Sequence, residues 1–368
     1  MTGPDATRLF YDSSRFVRRG AMPKGIQKTL LGQGGIQGLD DGAHRHRKQM
    51  FMSLMTTERI EELLQLTAAE WETCVRGWAS MHDVVLYTEL HGLLSRAVFA
   101  WAGLPLADAE VDVRTREMAA LFDHAGSVGL RHLWSRWARK RIDRWMEKVV
   151  GQVRSGRIRL PEPSAAHIIA WHRDLNGELL TPHVAAVELI NVIRPTIAVS
   201  VYMIFVAHAL HARPEVRERL SAGDDGYANL FVQEVRRSYP FFPAVAARTR
   251  QAFEWNGYQF PQGRRVILDL YGTNRDPRTW ERPDEFEPER FRRWDESPFN
   301  FIPQGGGDHY VDHRCPGEWI AIELMKQAAD FLTRRISYDV PDQNLEIDWS
   351  RLPALPRSRF VISNVRES

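Results

Sequence analysis

Phe301-Ile-Pro-Gln-Gly305-Gly-Gly307-Asp308-His-Tyr-Val-Asp-His313-Arg314-Cys315-Pro316-Gly317-Glu318 is the stretch on which the reading of the chain turns. Three consecutive glycines let a backbone lie close against something flat, because no Cβ intervenes. A lone cysteine follows at the mouth of a predicted helix, whose apolar residues Ile320, Leu324, Ala328 and Phe331 recur at helical spacing. A thiolate there is stabilised by the helix macrodipole and by free backbone N–H groups. Pro316 at the first helical position gives up only a hydrogen bond that would be unmade anyway. The pattern fits a thiolate held beneath a planar cofactor. Two readings stand beside it: a buried structural cysteine, and a zinc site built from His309, His313 and Cys315. Zinc lacks a fourth ligand here and gives the glycines no purpose.

Upstream, Thr181-Pro182 supplies an N-cap and a first-turn proline for the longest apolar helix, predicted to run to about Leu210. Its uninterrupted apolar part falls short of the ~20 residues that span a bilayer, and Arg194 within it would be costly in lipid. A buried central helix is expected, with an interruption at Arg194-Pro195. The proline removes one backbone bond and costs about 3 kcal/mol. A guanidinium stranded in an apolar helix needs an anion, best a planar carboxylate that accepts two parallel hydrogen bonds. Glu188 is six residues earlier and on a different side. Either Arg194 reaches water or a distant acid, or its partner is the substrate.

The 368 residues are 43% hydrophobic, enough for a sizeable core, and nothing repeats or divides the chain, so a single domain over 1–368 is expected. A net charge of +2, with arginine dispersed, gives no case for nucleic acid or a membrane surface. The two cysteines, Cys74 and Cys315, imply no disulfide framework. No signal peptide is read in the first residues, and a cytoplasmic protein is expected.

With these residues in view, the chain resembles the haem-thiolate cytochromes P-450. Phe301, the glycines, Arg314, Cys315 and Gly317 are similar to that family's haem-binding loop, which implies a mainly α fold around haem b, with Cys315 as axial iron ligand. The extra residues Asp308 to His313, together with Arg194-Pro195, are similar to the bacterial fatty-acid peroxygenases, a branch that uses hydrogen peroxide and needs no redox partner. In the wider family the distal helix carries an acid beside an alcohol; here Asn191-Val-Ile-Arg194-Pro195-Thr196 stands instead. In the resembled family a considerable N-terminal portion precedes the part that matches Met1, so a shortened start is expected.

The resemblance implies roles for further residues. Arg18, His44 and Lys48 would meet the haem propionates, where spacing alone reads the helix after Asp40-Asp41 as a solvated basic face. Glu234, Arg237 and Arg290 match a structural ion-pair set. Leu31 and Gln37 fall in the substrate channel, Gln37 at a place where decarboxylating relatives carry histidine. A mechanism follows as an expectation: a long-chain fatty acid docks its carboxylate on Arg194, this carboxylate supplies the acid–base group that cleavage of peroxide requires, and a 2- or 3-hydroxy acid results. The alternatives are a reductase-dependent monooxygenase, a fatty-acid decarboxylase and a haem-binding sensor.

Secondary structure is otherwise read as helices over Thr57 to Ser80, Leu86 to Ala102, Ala109 to Ser127 and Leu133 to Ser155. Gly20 to Leu39 reads as loop, Phe253 to Phe260 as an Asn256-Gly257 hairpin, and the tail from Ile336 as short strands.

Overall fold

A computed structural model of the chain describes residues 1–104 and 106–368, and of Asp225 the backbone alone. Its centre is the long helix predicted from Thr181-Pro182. The Thr181 side chain accepts a hydrogen bond from the Val184 amide at 3.2 Å, Pro182 takes the first turn, and the helix continues over Pro182–Ala212. At about 1.5 Å per residue it is some 46 Å long. It is apolar on every side, and such a helix is stable only when covered all round. By length and composition alone it would suffice to cross a membrane, contrary to the sequence reading. In the fold, 94% of its most apolar window is buried, so it serves as a core helix.

In chain order the helices are α1 (Pro4–Phe10), α2 (Lys24–Ile26), α3 (Asp41–Met52), α4 (Thr57–Trp78), α5 (Leu86–Trp101), α6 (Asp108–Asp123), α7 (Leu130–Arg154), α8 (Ala165–Trp171), α9 (Pro182–Ala212), α10 (Pro214–Ser221), α11 (Asp225–Ser238), α12 (Leu270–Thr273) and α13 (Glu318–Asp330). Helices α5, α6, α7, α8, α11 and α13 all pack on α9, and α4 covers α5. The strands are peripheral. β1 (Phe16–Val17), β3 (Ala244–Thr249) and β6 (Arg265–Asp269) form one antiparallel sheet, with β3 in the middle. β2 (Asp83–Val85), β8 (Val361–Glu367) and β7 (Ile336–Asp339) form another. β4 (Phe253–Trp255) and β5 (Tyr258–Phe260) make the expected hairpin, with Asn256 and Gly257 both at positive φ, as the two-residue turn demands. A small second core of Phe10, Phe16, Phe260, Leu268 and Ile302 ties the first sheet to α1.

Four local readings are corrected. Lys24 to Leu31, expected as loop, is helical: α2 runs into a wider turn over Gln27–Leu31 that buries Thr29 and Leu30. The short α8 was unforeseen, since Pro161 to Ser164 read only as a break in the chain; its N-cap Ser164 accepts from the His167 amide. Asp40-Asp41 read from the sequence as acids that cap and open α3; Asp40 is its N-cap residue, but its carboxylate makes no cap bond and accepts instead from the amides of Arg18 and Arg19 at 2.6 and 3.1 Å. Helix α13 begins at Glu318 with Gly317 as N-cap, so Pro316 lies outside it rather than in its first turn.

Candidate active site

A cavity of about 320 Å³, open to solvent on one side, lies between α9 and the loop that carries Cys315. From α9 it is lined by Asn191, Val192, Arg194, Pro195 and Thr196, and from the opposite side by Gln304, Cys315 and Gly317. Leu31, Gln37, His44 and Lys48 close its sides. Among the described residues no aspartate or glutamate lines it, whereas Lys48, Arg194 and Arg314 do. A space with apolar walls and cationic polar groups takes amphipathic or anionic occupants.

The loop before Cys315 is folded on itself. Gly305 adopts φ +95°, and a Cβ there would sit 2.9 Å from the Tyr11 hydroxyl. That hydroxyl accepts from the Gly306 amide at 2.9 Å. The three glycines therefore admit neighbouring protein and are absent from the cavity wall, contrary to the sequence reading. Gly317 is the glycine that faces the cavity, and nothing would obstruct a Cβ on it. The Cys315 amide donates to the Gln304 carbonyl at 3.0 Å, which fixes the turn. Burial pushes the Cys315 thiol up, as does Glu318, against the pull of Lys48 and the Gly317 N–H. A sulfur so placed is held as thiolate by a bound metal cation, which suits it as a metal ligand.

His309 and His313 do not join it. The His309 ring stacks on Trp319 at 4.2 Å and His313 stacks on His44 at 3.7 Å. Among the described residues no group of histidine, cysteine and acid is arranged to hold a metal ion. Behind Cys315, Glu318 is buried and binds Arg236 and, at 2.6 Å, Arg314. Burial alone would push its carboxyl up, but Arg236, His309 and Arg314 hold it far below the usual range. Sequence reading passed over Arg236 and Glu318, which lie 82 residues apart.

The basic face of α3 is buried, which overturns the solvated reading. Lys48 is 1% exposed, and its ammonium donates to the carbonyls of Arg314 and, at 3.1 Å, Asp312. Burial brings its pKa down to about 8 and that of His44 to about 4, so the His44 imidazole is neutral at pH 7. Arg18 lies in an adjoining pocket that shares His44 and His313 with the main cavity. Its guanidinium rests 4.2 Å over the Phe10 ring. Among the described residues neither Arg18 nor Lys48 forms an ion pair, so both cations remain available to the carboxylates of a bound group. Arg47, on the same helix, is committed to Glu188 at 2.6 Å.

Arg194 is 5% exposed and its Nε has no partner. One terminal nitrogen donates to Asn191 Oδ1 at 3.3 Å, and no carboxylate lies within ion-pair distance among the described residues. Burial, with repulsion from Arg139, brings its pKa down to about 9, still a cation at neutral pH. Asn191 in turn donates to Glu188 at 2.9 Å and to Gln37 at 3.2 Å. The resulting chain, Arg47 to Glu188 to Asn191 to Arg194, was missed by sequence reading. The three-residue steps from Glu188 to Asn191 to Arg194 were its one visible sign. Thr196 hydrogen-bonds its own helix at Val192 O, 3.0 Å away. Glu234, Arg237 and Arg290 lie outside the cavity: Arg237 grips Glu234 through two 2.7 Å bonds, and Arg290 approaches the same carboxylate at 3.4 Å.

Comparison with known proteins bears on this arrangement. A family model described as "Cytochrome P450" matches residues 226–352. The structure of cytochrome P450SP alpha (CYP152B1) in complex with (R)-ibuprophen superposes with a TM-score of 0.98 at 59% identity, over 100% of this chain and 90% of that one. The chain belongs to the cytochrome P450 family. This P450 falls in the CYP152 branch, for it is also similar to cytochrome P450EX alpha (CYP152N1) with myristic acid. That match has a TM-score of 0.97 and 46% identity, over 100% of this chain and 89% of that one. A variant of cytochrome P450 OleT with arachidonic acid matches at 0.96 and 36%, over 100% and 88%. Among curated sequences, cytochrome P450 71D18 of Mentha gracilis is 30% identical over 37% of this chain, and the match spans 28% of that relative's length. Cytochrome P450 26A1 of Gallus gallus is 25% identical over 81% of this chain and 68% of its own. Membership of the family implies haem iron with a cysteine thiolate ligand, and Cys315 is the cysteine that lines the cavity.

Proposed function

We propose that this P450 is a fatty-acid peroxygenase that uses hydrogen peroxide to hydroxylate long-chain fatty acids at the α carbon, the β carbon or both. The carrying observation is Arg194, a buried guanidinium that, among the described residues, has no carboxylate partner and faces a cavity that no acid lines. Solved relatives carry myristic and arachidonic acid, each a carboxylate on an alkyl chain.

The residues present suit haem b. Cys315 would hold the iron through its thiolate, and Lys48, Arg18 and the neutral His44 would hold the propionates, since among the described residues Lys48 and Arg18 form no ion pair. Once bound, haem supplies the oxidising chemistry, with the thiolate favouring O–O cleavage. The protein's own part is binding and proton placement. Arg194 anchors the carboxylate with paired hydrogen bonds, and Asn191 Oδ1 holds the guanidinium in position. Arg194 keeps its proton at pH 7 and cannot serve as a base. Thr196 is tied to its helix. The docked carboxylate, held on Arg194, can therefore accept and return a proton beside the reacting end. Pinning that end also presents the carbons nearest the carboxyl, which accounts for α or β hydroxylation. Pro195, beside this anchor, lies inside the continuous helix and does not break it, contrary to the interruption expected from the sequence; the proline withdraws one backbone donor there.

Gln37 lines the cavity and accepts from Asn191, and a carboxamide carries no titratable proton, which favours hydroxylation over decarboxylation. Leu31 forms part of the channel wall. Glu234, Arg237 and Arg290 act structurally. Residues 1–368 are read as one domain, cytoplasmic and without a redox partner. Turnover decides between the readings. Purified holoprotein is mixed with a long-chain acid and peroxide, or with NADPH and a reductase system, and hydroxy acid is measured by mass spectrometry. Product with peroxide alone is expected. Product only with reductase, or terminal alkene, or none, overturns the proposal.

A further inference from the structure

The solvent face of α7 carries a feature that the catalytic reading leaves unused. Val128 before the helix is 87% exposed, and Leu130, Leu133, Trp134 and Trp137 are 83%, 60%, 42% and 46% exposed. Residues 130, 133, 134 and 137 recur at helical spacing and form one stripe, with the two indoles stacked at 4.9 Å. The opposite side, including Ala138, Ile142 and Met146, is buried against the core. Monomeric proteins seldom leave a contiguous apolar patch of this kind in water.

The stripe continues towards the C-terminus as Lys140, Arg141, Arg144 and Lys148, all exposed. Arg141 covers the Trp137 ring at 4.5 Å. No aspartate or glutamate occurs from His124 to Ile142. Among the described residues Arg131, Arg136, Lys140, Arg144 and Lys148 form no ion pair. Four of the chain's cations, Lys140, Arg141, Arg144 and Lys148, are thus gathered on this one face of α7. An apolar tip of leucine and tryptophan, followed by a collar of cations of which Arg141 is paired with Glu117 while Lys140, Arg144 and Lys148 form no ion pair among the described residues, is complementary to an anionic lipid surface. Tryptophan, apolar in body and polar at its N–H, suits the boundary between headgroups and acyl chains.

This tip adjoins the channel. The His132 ring lies over Gly25 of α2, and α7 packs on the following turn, whose Leu30 and Leu31 line the cavity. We infer that Val128 and the first turns of α7 seat the protein on an anionic phospholipid bilayer, apolar tip in the interface and cations on headgroup phosphates. A long-chain acid partitions into such a surface, so the purpose of the seat rests on the fatty-acid reading. The binding itself does not.

Vesicle binding tests it without reference to turnover. Holoprotein is sedimented with vesicles of phosphatidylcholine mixed with phosphatidylglycerol, and with phosphatidylcholine alone, while tryptophan emission is recorded. Binding to the anionic vesicles is expected, with a blue shift and a decline as salt rises. The double substitution Leu130→Asp with Leu133→Asp should lower partitioning about tenfold or more, and Lys140→Glu with Arg144→Glu should lower it comparably on anionic vesicles only. Both variants should turn over a water-soluble acid as the parent does. Failure of the parent to bind, or equal binding by the Asp variant, overturns the inference. So does a parent dimer that the Asp substitutions dissolve, which would make the stripe an interface between copies.

Discussion

Replacing Arg194 by methionine keeps the aliphatic stem and removes the charge, and the structure gives this change an unusual pair of consequences. In the free protein the guanidinium is 5% exposed and unpaired, and burial with Arg139 nearby lowers its pKa from 12.5 to about 9. At ~1.36 kcal/mol per unit, the charged form is penalised by about 4 to 5 kcal/mol. Removing an uncompensated buried charge is neutral or favourable, so Arg194→Met should raise the unfolding free energy by about 1–4 kcal/mol. Activity should move the other way. Loss of a buried pair with the substrate carboxylate costs about 3–5 kcal/mol, which at ~1.4 kcal/mol per tenfold lowers kcat/KM for a fatty acid by about 10²- to 4 × 10³-fold. Urea unfolding followed by circular dichroism reads the first quantity, and hydroxy-acid formation with peroxide reads the second. A variant that loses stability and activity together would mean that Arg194 has a structural partner within the protein. A variant that keeps its activity would mean that the carboxylate docks elsewhere.

Three further outcomes are expected. Arg47→Met leaves Glu188 buried without its 2.6 Å partner, and should cost about 3–5 kcal/mol in urea unfolding; a loss under about 1 kcal/mol contradicts the chain from Arg47 to Arg194. Gly305→Ala places a Cβ against the Tyr11 hydroxyl at φ +95°, and should cost about 1–3 kcal/mol, while Gly317→Ala, whose Cβ meets nothing, should cost less than about 1 kcal/mol. His91 is buried between Tyr87 and Phe122, and burial lowers its pKa from 6.5 to about 4, so the native state binds fewer protons than the unfolded one. Its contribution is retained above about pH 6.5 and lost as pH falls towards 4, about 3 kcal/mol in all; His91→Phe should flatten the stability profile across that window, and an unchanged slope contradicts the assignment.

What could be seen in the sequence depended on how local its cause was. Arg194 stood out because a charge interrupts an apolar run, and Thr181-Pro182 marked the helix that carries it. Cys315 drew attention through its glycines, although these turned out to pack against Tyr11 and Ile302 rather than the cavity. Hydrophobic spacing located the long helices α4, α5, α6 and α7 within a few residues. The helical segment Lys24 to Leu31 was missed because glycine-rich composition hides a helix stabilised by burial of Leu30 and by Arg139, which donates to its carbonyls at 3.3 and 3.4 Å. The ion pairs of Glu188 with Arg47 and of Glu318 with Arg236 join residues 141 and 82 positions apart, and no periodicity reveals such partners. For the same reason α3 read as a solvated basic face: what covers His44, Arg47 and Lys48 comes from distant parts of the chain.

In the proposed reaction the substrate carboxylate is both the counterion of Arg194 and the acid–base group. The direct measurement is the initial rate of oxidation of a long-chain fatty acid and of its methyl ester by the unaltered holoprotein, with hydrogen peroxide as sole oxidant and products read by mass spectrometry. The ester keeps the alkyl chain and gives up the charge and the proton-accepting oxygen, so it should react about 10²-fold more slowly or less. Equal rates for acid and ester would contradict the central claim.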